Sequence, residues 1–588
     1  MRHRRLHNTV SPARSEGVSR LRIVQVVVGI CAGIIGARLF FLMVVQHDFY
    51  FALASGSHEV YEQLFPKRGE IYIQDVRTKE RYPLAMNKDF FLMYADTRKI
   101  EGEDHAEKTA EALAEIFSYD DERKLAVYLQ LLKENDPYEP IELKVNDDLR
   151  HVVEVRDLPG IGFVRKPHRL YPEGALAAHV AGFVGKEENG DTVGRYGIEG
   201  YWEEELGGVG GFVEGLRAGG GSVLTLGSRL FQPAQDGVDI LLTLDRTLQF
   251  RACDELRKGV EEFGASGGAL VMLDPKTGAI RAMCSMPEFN PNTYNEVASV
   301  DVYNNSAIFT AYEPGSIFKP LTMAAAMNEG AVTPDTIFHD TGSREAHCTK
   351  PIRNAEGKVH GSQTMTGVLR ESVNTGMVYT VEQLGKEKFR RYVDAFGFGV
   401  KTGIDLDSEG PGTVAALAQK SGNEIDCYAA TASFGQGITA TPLQMAAAFG
   451  AIANGGILMK PYIVEETTDA NGRTEYTKPQ EVRRVLEKKT AALLSGMLVK
   501  VVDGRSAQVP GYYIAGKSGT AQIAGPGGYT AETNQSFIGF APVDDPQFVL
   551  LVKFEKPRRA YAESTAAPVF SRVMSFALEY YGIPPSRE

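Results

Sequence analysis

GYYIAGKSGTAQIA, from Gly511 to Ala524, satisfies the phosphate-loop pattern G-x-x-x-x-G-K-[ST] through Gly511, Gly516, Lys517 and Ser518. A phosphate loop follows a buried strand and opens a helix, so that backbone N–H groups and the helix dipole face the anion. Here the residues between the two glycines are Tyr-Tyr-Ile-Ala, bulky and strand-forming. Glycine and proline then arrive within TAQIAGPGG, so no helix opens there. The stretch reads as a strand, roughly Tyr512 to Ile523, that passes straight through Lys517. The nucleotide reading fails.

What survives is its second half, Lys517-Ser518-Gly519-Thr520. The triplet K-[ST]-G occurs four times, at Lys276, Lys401, Lys420 and Lys517, so order and context must choose among them. In YEPGSIFKPLTMAAAMNEG, Ser316 and Lys319 form S-x-x-K. Pro320 is tolerated only in a first helical turn, which puts Ser316 at a helix N-terminus. A spacing of three places the hydroxyl and the amine on one face. The positive dipole end there favours an alkoxide and disfavours a protonated lysine, so Lys319 is a candidate amine base. In LRESVNTGM, Ser372 and Asn374 form S-x-N between helical stretches, where the bland reading is a pair of helix caps. Lys276 precedes Ser316 on a hairpin turn, and Lys401 and Lys420 fall in loops soon after Asn374. Only Lys517 lies in a strand with a helical stretch before it. The three parts in order mark penicillin-interacting serine enzymes far more specifically than any one of them.

The rest of the chain fits around this set. Its 588 residues allow two or three domains, and 43% hydrophobic with 23% charged residues describes a globular protein. A formal charge of −12 argues against a nucleic-acid partner. An arginine-rich start leads into IVQVVVGICAGIIGARLFFLMVV, Ile23 to Val45, about the length a helix needs to cross a bilayer. The charge asymmetry places the N-terminus in the cytoplasm, and the long apolar run favours an uncleaved anchor over a signal peptide. The five cysteines form no C-x-x-C pair and read as core thiols without a disulfide framework. Glycine-rich Gly207 to Gly237 suggests a linker or β-ribbon, GVDILLTLD an alternating strand, and GGALVMLDPKTGAIRAMCSM a hairpin. Strands, a long helical stretch from about Ser316 to Leu443, then strands and a closing helix predict an antiparallel sheet flanked by helices.

With these motifs the chain resembles the class B penicillin-binding proteins, monofunctional peptidoglycan D,D-transpeptidases of bacteria. RLYPEGALAAHVAGFVG, Arg169 to Gly185, with YGIEGYWEEELGG looks like the family's pedestal motif. GGALVMLDPKTGAIRAMCSMPEFNPN resembles the opening of its transpeptidase domain, and SFGQGITATPLQMAAAFGAIANGG, Ser433 to Gly456, its G-x-G…TPLQ segment. The family's R-G-x-I-x-D element is matched at Arg68, Gly69 and Ile71, but Ile73 stands in the place of its aspartate. The glutamate of EPGS leans towards the division-type branch.

The resemblance implies a mixed α+β architecture: a cytoplasmic basic tail (1–22), a transmembrane signal anchor (23–45), an extracytoplasmic β-rich pedestal of dimerisation type (46–236) and a transpeptidase domain (237–588). That last domain would hold a five-stranded antiparallel sheet flanked by helices, with an all-helical subdomain. By position, Ser316 is the acyl-accepting nucleophile and Lys319 its base; Ser372 relays a proton to the leaving D-alanine or acts in deacylation, and Asn374 holds the substrate amide. Lys517 and Ser518 take the stem-peptide carboxylate, and Gly519 lets a substrate backbone come close to the strand. The N–H groups of Ser316 and Thr520 form the oxyanion hole.

The implied partners are stem peptides (a D-Ala-D-Ala donor and an amine acceptor), β-lactams as inhibitors, and a membrane glycan polymerase within a division or elongation complex. No cofactor or metal is expected. Asp340, His347, Cys348 and His360 are the one group worth checking for zinc, but adjacent His347 and Cys348 make poor joint ligands. Two rival readings share these residues: a D,D-carboxypeptidase or β-lactamase on the same fold, and a β-lactam-binding sensor or scaffold.

Overall fold

The computed structural model describes residues 59–64, 66–186, 192–217, 223–224, 230–419, 425–525 and 528–587, with residue 29. The basic tail, the predicted anchor apart from residue 29, and Lys420 lie outside the described residues. Among the described residues no helix is long and apolar enough to cross a membrane.

The chain forms two compact units, Met1–Pro66 with Val209–Gln235, and Lys67–Gly208 with Asp236–Glu588. In the first, strand Glu59–Leu64 runs antiparallel to Gly211–Arg217, which also pairs with Val223–Leu224 and Leu230–Gln232. The glycine-rich stretch is therefore a β-ribbon where it is described.

The second unit holds two large sheets. One has seven strands, in the order Thr474–Tyr476, Val464–Thr468, Asp239–Asp245, Ile71–Gln74, Arg81–Ala95, Glu139–Val145, with Ile161–Leu170 also pairing with Arg81–Ala95. Helices Gly102–Phe117 and Asp121–Leu131 pack Ala106, Leu113, Val127 and Leu131 with Met93 and Ile141 of this sheet. Asp239–Asp245 does not alternate as expected: it is buried from Ile240 onward, because apolar chain covers both its faces. In the R-G-x-I-x-D-like element Ile73 is fully buried, and the carboxylate of this region is Asp75 two residues on. Asp75 accepts from Thr247 and Tyr580 hydroxyls at 2.7 and 2.9 Å.

The other sheet carries the site. Its elements in chain order are α1 (Arg246–Phe263), β1 (Gly267–Leu273), β2 (Ile280–Met286), α2 (Lys319–Asn328), α3 (Met365–Arg370), α4 (Asn374–Leu384), α5 (Cys427–Ala432), α6 (Pro442–Ala453), α7 (Lys488–Val502), β3 (Ala515–Gly525), β4 (Gly528–Ala541), β5 (Phe548–Glu555) and α8 (Ala566–Tyr580). The five strands are antiparallel in the order β2-β1-β5-β4-β3, which leaves β3 at an edge. Strand alternation sorts the side chains into two cores. Leu270 and Met272 of β1 join Leu248 and Leu256 of α1 and Phe570 of α8 on one face. Ala269, Val271 and Leu273 join Phe449 of α6 on the other. The helical region between β2 and β3 is not all-helical: ribbons Ile337–Asp340 with Gly361–Thr364, and Ser343–Arg344 with Ile352–Arg353, interrupt it.

The cysteine reading is corrected. Cys253 of α1 is bonded to Cys284 of β2, and Cys348 to Cys427 of α5. The sequence separations of 31 and 79 gave no sign of this. Packing of α1 on β2 brings the first pair of Cα atoms to 5.4 Å, and the second pair lies at 4.8 Å, within reach of a bridge.

Candidate active site

Ser316 lies in a 3₁₀ turn, Gly315–Phe318, that runs directly into α2 with Pro320 in its first turn. Gly315 has φ +58°, open to glycine at no steric cost, and its N–H donates to Gly435 O at 2.9 Å. A Cβ on Gly435 would stand 2.2 Å from Gly315 O, so this residue can lie against the turn only as glycine.

Lys319, one helical step from Ser316, is completely buried. Its Nζ donates to Ser372 O, to Ser372 Oγ at 3.1 Å and to Asn374 Oδ1 at 2.8 Å. Loss of solvation, and then the charge of Lys517, holds its pKa well below the ordinary lysine value. Ser372 takes a left-handed backbone, φ +56°, between α3 and α4, a conformation that costs a non-glycine residue about 1 kcal/mol. The bend turns both its hydroxyl and its carbonyl onto the one amine. Asn374 is not a helix cap: the cap of α4 is Val373, without a side-chain bond. Its Oδ1 accepts from Lys319 while its Nδ2 donates to Arg353 O at 3.0 Å.

Lys517 is 2% exposed on β3, and its Nζ donates to Ser518 O at 2.8 Å. Burial, then the nearby charge of Arg505, lowers its pKa to about 7, with Glu563 opposing. Arg505 donates to Arg370 O at 2.8 Å, two residues before Ser372, and so ties the chain entering β3 to the end of α3. Gly519 faces the nucleophile turn: a Cβ there would meet Ile317 Cγ2 at 3.0 Å and Pro314 O at 3.1 Å. The expectation that Gly519 clears space for a substrate backbone is therefore revised, since the room it leaves is taken by the Ser316 turn. Ser518 is partly exposed, and Thr520 Oγ1 accepts from Ala562 N–H at 3.1 Å, holding the β5–α8 loop beside the strand.

The Ser316 turn, Lys319, Ser372, Asn374 and the Lys517–Thr520 strand thus converge. The other described triplets do not join them: Lys276 pairs with Asp545 on an exposed turn, and Lys401 is exposed in a loop. Asp340 accepts from Thr375, Gly342, Asn354 and His360, bracing the loop that carries Arg353, and Cys348 is spent in a disulfide. Among the described residues no group of three His, Cys, Asp or Glu is placed to hold a metal. Arg505 has no motif around it, and although Glu313 belongs to EPGS, no sequence signal pointed to its contact with Tyr529.

Residues 268–575 match the penicillin binding protein transpeptidase domain, and 63–242 the penicillin-binding protein dimerisation domain. The chain is 33% identical over 567 residues to stage V sporulation protein D of Bacillus subtilis, covering 94% of this chain and 84% of that one. It is 27% identical over 609 residues to a peptidoglycan D,D-transpeptidase FtsI homolog of Mesostigma viride, covering 97% of each. Penicillin binding protein 3 of Mycobacterium tuberculosis, complexed with aztreonam, superposes with a TM-score of 0.67 at 26% identity, covering 89% of this chain and 98% of that one. Penicillin binding protein 2X of Streptococcus thermophilus gives 0.74 at 23%, covering 88% and 80%, a likeness of fold.

Proposed function

The chain belongs to the class B penicillin-binding proteins, with their dimerisation and transpeptidase domains, and from that premise we propose that it crosslinks peptidoglycan as a serine-type D,D-transpeptidase. The observation that carries the reading is the buried amine of Lys319, held by Ser372 and Asn374 one helical step from Ser316.

Burial, with the charge of Lys517, shifts Lys319 towards the neutral amine, the form able to accept a proton. As a neutral group it keeps two hydrogens for the oxygens of Ser372 and Asn374 and has one lone pair with which to take the Ser316 proton. Ser316 Oγ attacks the carbonyl of the donor's penultimate D-Ala, and its proton passes to Lys319. The backbone N–H groups of Ser316 and Thr520 stabilise the resulting oxyanion, an effect of typically about 3 kcal/mol per donor. The C–N bond breaks, the terminal D-Ala leaves as its amine carrying the proton delivered through Ser372, and an ester to Ser316 remains. An amine of a second stem then attacks that ester, gives its proton to Lys319, and releases Ser316 with its own proton restored. Lys517, cationic while it holds the donor carboxylate, and the Ser518 hydroxyl fix the peptide's end. β-Lactams would acylate the same serine.

The same reading assigns 1–22 to the cytoplasm, 23–45 to a single membrane anchor, 46–236 to the pedestal and 237–588 to the transpeptidase domain, outside the cell membrane. Two disulfides support an oxidising compartment for the described part. A glycan polymerase of a division or elongation complex is the proposed membrane partner, with the division-type assignment leaning on Glu313 of EPGS. Labelled penicillin on the full chain tests the site. The label is expected on the peptide bearing Ser316 and absent in Ser316→Ala; label on another residue refutes the assignment.

A further inference from the structure

Glu313 stands three residues before Ser316, partly buried, with its carboxylate fixed by two neutral donors. Gly437 N–H donates to Oε1 at 2.9 Å, and the Tyr529 hydroxyl reaches Oε1 and Oε2 at 3.2 and 3.0 Å. Neighbouring acids of the helical region have cations: Glu356 has Lys358, Glu382 has Arg344 and Glu329 has Lys388. No lysine or arginine among the described residues comes within 4.0 Å of the Glu313 carboxylate. Its charge is felt next door, since burial and then Glu313 hold the Tyr529 phenol well above its ordinary pKa. A carboxylate pinned in place and left without a counter-ion is preorganised for a cation.

The position says which cation. Among the described residues β3 pairs only with β4, so its other edge has no strand partner there and can receive an extended peptide. On the transpeptidase reading, on which this inference rests, the donor carboxylate lies at Lys517 and Ser518 and the reacting carbonyl at Ser316 and Thr520. The residues before that carbonyl then run along β3 towards Ala524, which is paired with Tyr529, at about 3.3 Å per residue. A stem able to crosslink carries a diamino residue one position before the penultimate D-Ala, and its side chain ends in a primary ammonium. We propose that Glu313 and Tyr529 form the subsite that binds this side-chain ammonium of the stem's diamino residue.

The ammonium belongs either to the donor stem or to the incoming acceptor, and one experiment separates them. Full-length protein is given donor pentapeptides with the side-chain amine free or N-acetylated, and the acyl-enzyme is followed by mass. A donor ammonium in the subsite gives wild type a preference for the free amine of about tenfold in the second-order acylation constant. Glu313→Gln brings that ratio close to one, and Tyr529→Phe lowers it part of the way. Because the ratio compares two substrates on the same protein, a partly misfolded variant does not distort it. If wild type shows no preference in acylation, and Glu313→Gln instead raises the acceptor concentration needed for half-maximal crosslinking, the bound ammonium is the acceptor's. If Glu313→Gln changes neither quantity while crosslinks still form, the subsite is refuted and the transpeptidase reading stands. If wild type is acylated by neither donor, the transpeptidase reading fails and takes the subsite with it.

Discussion

Lys319 Nζ reaches both the carbonyl and the hydroxyl of Ser372, 53 positions further along the chain. Ser372 makes both contacts from a left-handed backbone, φ +56°. The contact joins α2, which carries the nucleophile turn, to the α3–α4 junction.

Ser372→Ala removes the hydroxyl and keeps the carbonyl contact, so Lys319 stays placed while the relay to the leaving group is lost. Acylation by a peptide donor is expected to slow by about 10²-fold, with the melting temperature little changed. Rapid-quench acylation and calorimetry check this. An unchanged rate excludes Ser372 from the proton path.

The two buried lysines set the pH profile. Lys319 must be neutral to act as base, and Lys517 must be charged to hold a carboxylate. Lys517 has its pKa lowered to about 7, so it loses charge as pH rises through that value. The second-order constant for acylation by benzylpenicillin is expected to fall above about pH 7. At saturation the limb moves to higher pH, because the bound carboxylate stabilises the ammonium. A constant that climbs steadily to pH 9 would contradict this.

Gly519→Ala puts a methyl 3.0 Å from Ile317 Cγ2 and 3.1 Å from Pro314 O, with the nucleophile turn itself as the neighbour that must yield. Moving that turn by a few tenths of an ångström is expected to reduce acylation about 10-fold to 100-fold. Inactivation kinetics with a fluorescent penicillin measure it, and wild-type kinetics would show that the close approach has no catalytic consequence.

Much of this site was legible because its chemistry is local in sequence. S-x-x-K is one helical step, and the strand expected from about Tyr512 through Lys517 is present but begins at Ala515, with Tyr512, Tyr513 and Ile514 in the loop that leads into it. What was hidden depends on tertiary contact. The bond between Cys253 and Cys284 requires α1 to lie on β2, and nothing in a spacing of 31 residues says so. The contact of Glu313 with Tyr529 spans 216 positions. Val464–Thr468 joins a sheet otherwise built largely from the first 170 residues, through its pairing with Asp239–Asp245. The room left by Gly519 was predictable as room, but whether substrate or the chain's own turn filled it was not.

The cysteine correction has a direct test. Two disulfides occupy four of the five cysteines, leaving Cys31, which lies outside the described residues. Alkylation of unreduced, denatured protein is expected to label one thiol per chain, and prior reduction to expose all five. Removing either bridge by paired Cys→Ala changes is expected to cost about 2–4 kcal/mol of stability. Labelling of three or more thiols without reduction would overturn the pairing.

The central claim is that the acyl-enzyme on Ser316 is resolved by an amine. The direct measurement gives full-length protein a stem-pentapeptide donor and a rising concentration of amine acceptor, and quantifies crosslinked dimer against free acid by mass spectrometry. Dimer that increases with acceptor at the expense of free acid, and both products lost in Ser316→Ala, is the predicted result. Free acid alone at every acceptor concentration would make the chain a hydrolase and contradict the account.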